Sequence, residues 1–213
     1  MSTRNSIRVL RLLTICNKSR ASARVVPSKT NQQVVLKRNY SPTTMTSQQH
    51  PATADLCDKY VSSPSRLMVA TPGYFKDFGG IKKFSGKIET VKCFESNPAV
   101  RTTLGEDGQG RVLVVDGAAS QRVALCGDML AQIAADNGWS GLIINGCIRD
   151  SAVIAKIPVG VKAMNTHPLK SAKTHPGERG CTVAFAGVEF VPGMYVYADE
   201  DGVIVGETEL TVD

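Results

Sequence analysis

VLVVDG (112–117), AASQRVAL (118–125), CGDMLAQIAADNG (126–138), GLIING (141–146) and CIRD (147–150) read in that order as strand, loop, helix, strand and loop. The two apolar runs are short and each ends at a Gly, while the segment between them carries Leu130, Ile133 and Ala134 at helical spacing. A βαβ unit of this kind gathers the loops after its strands, and the first turn of its helix, at one end of a sheet. Open α/β sheets place ligands at that end. The groups delivered there are Gly127-Asp128-Met129-Leu130 and Arg149-Asp150. Free N–H groups at a helix start suit a carboxylate. An Arg can grip a keto acid with its fork of donors, and an Asp can hold a hard metal ion.

Working outward, Thr53 is expected to cap a short helix over 54–60 that stops at Ser63-Pro64. GKIETVKCFE (86–95) alternates as a half-exposed strand, Asn97-Pro98 opens a helix to Leu104, and Glu106–Gly110 turns the chain into the strand at 112. Beyond Asp150 the reading is a short helix (152–156), a strand (159–163), and an irregular stretch with His167-Pro168 and His175-Pro176-Gly177. Strands then follow at 182–186, 188–191, 195–198 and 203–205. Asp199-Glu200-Asp201-Gly202 supplies a hairpin turn between the last two. A βαβ centre with a β-rich back half predicts a compact α/β domain with a mixed sheet, not a doubly wound one.

The chain has 213 residues, 42% of them apolar, enough for one sizeable core. Its net charge of +6 is unevenly spread: residues 1–54 hold nine Lys/Arg and no Asp or Glu, and residues 55–213 hold sixteen Lys/Arg against nineteen acids. The body is therefore mildly acidic, and no nucleic-acid partner follows from the overall charge. Residues 1–40 read as a targeting presequence, with Ile7, Leu10 and Leu13 at one spacing and Arg4, Arg8 and Arg11 at another. Arg38-Asn39-Tyr40-Ser41 resembles a mitochondrial processing site cleaved after Tyr40, which gives an expected location in the mitochondrial matrix. The alternatives are a basic tail without an address, and a start at Met45 that would leave a cytosolic form. A polar linker (41–51) then leads into a single domain over 52–213. No stretch reaches the ~18 apolar residues of a membrane span, so no membrane partner is expected.

Several chemistries fail on the residues. Positions 116–121 read Asp-Gly-Ala-Ala-Ser-Gln, without the spaced glycines that let a backbone approach a pyrophosphate, and no Walker-type loop occurs. The six cysteines form no C-x-x-C pair. Cys126 and Cys147 have no His nearby in sequence and read as small buried residues, not nucleophiles. His167 and His175 are too loosely spaced for a helical metal pair and read as polar loop residues.

The series VLVVDGAASQRVALCGDMLAQIAADNGWSGLIINGCIRD, with GVKAMNTHPLKS, GVEFVPGMYVYADEDGVIV and FSGKIETVKCFE, resembles the family shared by 4-hydroxy-4-methyl-2-oxoglutarate aldolase and the regulator of ribonuclease E activity A. The likeness covers roughly residues 52–208, and its signature is an Asp, twenty residues and Arg-Asp, matched here by Asp128 and Arg149-Asp150. It implies an α/β/α swivelling-domain fold, assembly as a homotrimer or a dimer of trimers, and a metal-dependent lyase. Such a lyase releases pyruvate from 4-hydroxy-4-methyl-2-oxoglutarate or 4-carboxy-4-hydroxy-2-oxoadipate and decarboxylates oxaloacetate. By the same resemblance, the N–H groups of Gly127, Asp128, Met129 and Leu130 bind the pyruvoyl carboxylate and Arg149 holds the keto oxygen. Asp150 ligates Mg²⁺ or Mn²⁺, and Asp128 serves as a catalytic residue through a water. The family also supplies the rival reading, a non-catalytic protein that restrains an RNA-processing enzyme. The family's older methyltransferase label finds no support in the loop at 116–121.

Overall fold

The structure, a computed structural model, describes residues 50–63 and 67–212. The expected leader, most of the expected linker, and the helix stop at Pro64 lie outside these residues. In chain order the elements are α1 (Thr53–Tyr60), β1 (Leu67–Val69), β2 (Lys76–Asp77), β3 (Phe84–Lys92), α2 (Pro98–Leu104), β4 (Val112–Asp116), β5 (Ala124–Cys126) and α3 (Asp128–Asp136). They continue with β6 (Gly141–Ile148), α4 (Ser151–Ile154), β7 (Gly160–Thr166), β8 (Glu178–Arg179), β9 (Val183–Phe185), β10 (Val188–Phe190), β11 (Tyr195–Ala198) and β12 (Val203–Gly206).

The centre of the sheet is parallel. β3 pairs with β4, β4 with β6, and β6 with both β5 and β7, all in parallel, as helical crossovers require. Its margins are antiparallel: β11 lies against β3, β12 against β11, β1 against β12, and β2 against β7. The mixed α/β class, the mixed sheet and the central βαβ unit expected from the sequence are what the chain forms.

Each face of the parallel centre has its own cover. Leu113, Val115, Leu142, Ile144 and Val161 pack with Val100, Leu104, Leu130, Ala134 and Ile154 of the helices. Val112, Val114, Ile143 and Ile88 face the other way, against Val183, Phe185, Val188 and Phe190 of the β9–β10 hairpin. All eight residues of β6 are buried, which is why it reads as an apolar run interrupted only by Asn145, whose amide donates to Asp116 Oδ1 and accepts from the Tyr74 hydroxyl, both at 2.8 Å. The Phe84 ring crosses the start of β6 and β7, where Gly141 and Gly160 leave it room; a Cβ at either position would overlap the ring.

Several expectations are corrected. β3 is half-exposed only in part: Lys87 and Lys92 are exposed, but Ile88, Thr90 and Val91 are all buried, because Val91 packs into the helix-side core and Ile88 into the core on the opposite face. The buried Thr90 hydroxyl is satisfied by donating to the Cys181 carbonyl at 2.6 Å. Thr53 does not cap α1. Ala52 occupies the N-cap, and Thr53 instead donates its hydroxyl (2.6 Å) and its N–H (2.7 Å) to the Asp199 carboxylate, pinning the helix to the β11–β12 turn. The loop expected over 118–125 ends in a strand, β5, and α3 begins at Asp128. The helix expected over 152–156 is a single turn, Ser151–Ile154. Among the described residues, no helix is long and apolar enough to cross a membrane.

Candidate active site

Strand pairing assembles the site. β5 and β6 run parallel with Cys126 opposite Ile148, and the Arg149 N–H donates to the Cys126 carbonyl at 2.9 Å. The residues that follow, Gly127 on one strand and Arg149-Asp150 on the other, are therefore held side by side at the carboxyl end of the sheet. Contact there is close. A Cβ on Gly127 would lie 2.8 Å from Asp150 Oδ2 and 3.1 Å from Arg149 Nε, so a side chain at this position would displace the pair. Asp150 adopts the left-handed backbone region (φ 56°, ψ 33°), which Asp tolerates better than most residues, and its carbonyl accepts the N–H groups of Val153 and Ile154 in α4. That turn sets its carboxylate beside the guanidinium, with Arg149 Nε 3.1 Å from Asp150 Oδ2. Both side chains are a little over one-third exposed, so the pair is open to solvent.

The first turn of α3 is less open than a bare helix start. The Met129 N–H is met by Asp128 Oδ1 at 2.8 Å and the Leu130 N–H by the Gly127 carbonyl at 3.1 Å. The N–H groups of Gly127 and Asp128 meet no acceptor among the described residues. Within the four-residue segment, these two are the donors left open. Arg149 Nε is paired with Asp150, and its two terminal nitrogens meet no partner among the described residues.

Arg149 and Asp150 line a cleft of about 260 Å³ together with Thr166, Pro168 and His167, the last of which reads in the sequence as a polar loop residue. β7 runs parallel to β6 with Thr166 opposite Ile148, and the His167 N–H donates to the Ile148 carbonyl at 2.8 Å, carrying the ladder one step beyond the strand. His175 is held elsewhere, its carbonyl and N–H both bonded to the Ser96 hydroxyl. A larger cavity, about 360 Å³, lies between α1, residues 69–75 and the β11–β12 turn. Its one buried cation, Lys162, is neutralised by Asp77 at 2.9 Å, and no set of catalytic groups converges there.

The cysteines near the site are structural. Burial, and next the Asp128 charge, push the Cys126 thiol up to about 12, and burial raises Cys147 as well. Neither thiol is a nucleophile at neutral pH.

No three or more His, Cys, Asp or Glu side chains converge among the described residues. A cation at this site would take the Asp150 carboxylate and complete its shell with water and substrate, the habit of Mg²⁺. Asp150 Oδ2 is paired with Arg149, and Oδ1 meets no partner among the described residues, which fits that arrangement.

Compared with known proteins, residues 53–205 match the RraA-like family, Aldolase/RraA. The chain is 52% identical over 158 residues to a provisionally named 4-hydroxy-4-methyl-2-oxoglutarate aldolase of Laribacter hongkongensis, covering 74% of this chain and 97% of that protein. A crystal structure from Geobacillus kaustophilus, described as an S-adenosylmethionine: 2-dimethylmenaquinone methyltransferase, is 50% identical with a TM-score of 0.71, covering 75% of this chain and 96% of that one. The RNA-processing inhibitor RraA from Thermus thermophilis is 39% identical with a TM-score of 0.71, covering 76% of this chain and 95% of that one. These findings correct the expected location. The curated relatives are bacterial, from organisms without mitochondria, and mitochondrial localisation is not supported.

Proposed function

The chain belongs to the RraA-like Aldolase/RraA family, and from that premise we propose that it is a divalent-metal-dependent lyase that releases pyruvate from 4-hydroxy-4-methyl-2-oxoglutarate or 4-carboxy-4-hydroxy-2-oxoadipate, with oxaloacetate decarboxylation as a side activity. The observation that carries this reading is the Gly127–Arg149–Asp150 contact. It sets a guanidinium with free terminal nitrogens and a solvent-facing carboxylate on the wall of one cleft, and holds both against Gly127 at the start of α3.

In this reading the Gly127 and Asp128 N–H groups receive the carboxylate of the pyruvoyl end, at the positive end of α3. Arg149 holds the adjoining keto oxygen through its terminal nitrogens. Cleavage removes the proton of the C4 hydroxyl, and the C4–O bond becomes a carbonyl. The C3–C4 pair passes to the pyruvoyl fragment, which leaves as an enolate and is protonated at C3. Negative charge develops on the oxygen that Arg149 already contacts, and donors preorganised at such an oxygen lower a barrier more than donors that must reorient. Asp150 would hold Mg²⁺ or Mn²⁺, which when bound supplies Lewis-acid stabilisation of the same oxygen. Asp128 keeps one carboxylate oxygen free of the Met129 N–H and orients a water that carries the hydroxyl proton away. The assembly proposed with this chemistry is the homotrimer or paired trimer of the family resemblance.

The test is Asp150→Asn. Asn also tolerates the left-handed backbone, so the turn survives while the charge is lost. Pyruvate release should fall on the order of 10²–10³-fold with an unchanged thermal melt. A variant with wild-type turnover would remove Asp150 from the mechanism. A second reading, restraint of an RNA-processing enzyme, is favoured by the 39% identity to the Thermus inhibitor. Partner binding that persists in Asp150→Asn, in a protein without lyase activity, would support it.

A further inference from the structure

Resting on the lyase reading, we infer that His167 binds the second carboxylate of the substrate and thereby sets the preference for dicarboxylic 2-oxo acids over pyruvate itself. The argument starts at the end of β7. The His167 N–H is tied to the Ile148 carbonyl at 2.8 Å, which fixes the backbone of residue 167 against the residue that precedes Arg149. His167 Nδ1 accepts the Leu169 N–H at 3.1 Å, across Pro168, whose ring stiffens the turn. An Nδ1 that accepts leaves the proton of the neutral imidazole on Nε2. Ring orientation and tautomer are thus both set by the local chain, and Nε2–H meets no acceptor among the described residues. This side chain is half-buried and lines the same cleft as Arg149, Asp150 and Thr166. A donor held in one orientation on the wall of a cleft is preset for an acceptor that enters it.

The acceptor follows from the chemistry. The pyruvoyl end of the substrate is satisfied by Arg149 and the start of α3, on one side of the cleft. What distinguishes the proposed substrates from pyruvate is at least one added carboxylate, and His167 lies on the wall that Thr166 and Pro168 share with it. Arg149 and His167 therefore divide the recognition of the substrate between its pyruvoyl end and a distal carboxylate.

The experiment compares two stable probes by isothermal titration in the presence of Mg²⁺. Pyruvate reports the pyruvoyl end alone. 2-Oxoglutarate adds the distal carboxylate yet lacks the C4 hydroxyl that cleavage needs. His167→Asn is the chief variant, because its short side chain can still accept the Leu169 N–H and keep the turn. His167→Ala serves as the second. Both should bind 2-oxoglutarate on the order of tenfold more weakly, the loss of one hydrogen bond to a charged group, while pyruvate affinity changes less than about twofold. Equal weakening of both probes, or no change in either, overturns the inference while leaving the lyase reading standing. A wild-type protein that binds neither probe overturns both.

Discussion

Gly127→Ala is the most discriminating single substitution, because it perturbs the site without straining the fold. The Gly127 backbone is extended (φ −128°, ψ −175°), a conformation Ala adopts freely, so the added methyl acts by its volume alone. That methyl would stand 2.8 Å from Asp150 Oδ2, 3.1 Å from Arg149 Nε and 3.3 Å from Arg149 Cγ. Non-bonded carbon contacts settle at about 3.5–4.0 Å, so the carboxylate must retreat by on the order of 1 Å. Both neighbours are ends of solvent-facing side chains and can move at little cost. The stability loss is that of a poorer N-cap, about 0.5–1 kcal/mol, which lowers Tm by about 2–4 °C or less in a domain of this size. Activity is another matter, since a misplacement of about 1 Å in a catalytic constellation costs on the order of 10²-fold. The assay is pyruvate release coupled to lactate dehydrogenase, run beside a thermal melt. Full activity in Gly127→Ala would refute the claim that the Gly127–Arg149–Asp150 contact is the working arrangement, and a collapse of the melt would refute the claim that the methyl acts locally.

Two further outcomes are expected elsewhere in the molecule. Burial pushes both Cys93 and Cys126 up to about 12, so iodoacetamide at about pH 8 should leave them unmodified in the folded protein, and Cys126→Ala should keep its turnover. A labelled Cys126 peptide from the native protein would contradict this. At the other end of the fold, burial alone would raise the Asp199 carboxyl, but the hydroxyl and N–H of Thr53 and the N–H groups of Asp201 and Gly202 outweigh it and hold the group below its ordinary value. Such a carboxylate contributes its stability above the ordinary carboxylate range and loses it as pH falls through the lowered value. Thr53→Val should therefore cost roughly 1–3 kcal/mol near neutral pH, with the gap to wild type closing in acid. A gap that widened in acid would reverse the assigned sign.

The parts of the fold legible in the sequence are those whose residues carry their own reason. β4 and β6 are apolar runs with a helical segment between them, and Asp199–Gly202 has the composition of its turn. The missed strands, β1, β2, β5 and β8, are two or three residues long. They exist because a neighbouring edge offers hydrogen bonds, as β12 does for Leu67–Val69. Thr53 looked like a cap because Ser and Thr before a helical run usually are caps. Its partner is 146 residues away, beyond any local pattern. The site shows the same division. Asp128, Arg149 and Asp150 were visible from their place after strands, whereas His167 was read as a loop residue. The usable signal was the parallel course of two strands joined by one short crossover, which brings the residues after both strands to the same end of the sheet.

The central claim is metal-dependent release of pyruvate at the Arg149–Asp150 site. Its most direct measurement is turnover of 4-hydroxy-4-methyl-2-oxoglutarate, 4-carboxy-4-hydroxy-2-oxoadipate and oxaloacetate by the full-length protein, first stripped with a chelator and then supplied with Mg²⁺ or Mn²⁺. The expected result is negligible pyruvate from the stripped protein and restored release from at least one of the three acids on adding metal. Release that is indifferent to chelator, or no release from any of the three under either metal, would contradict it.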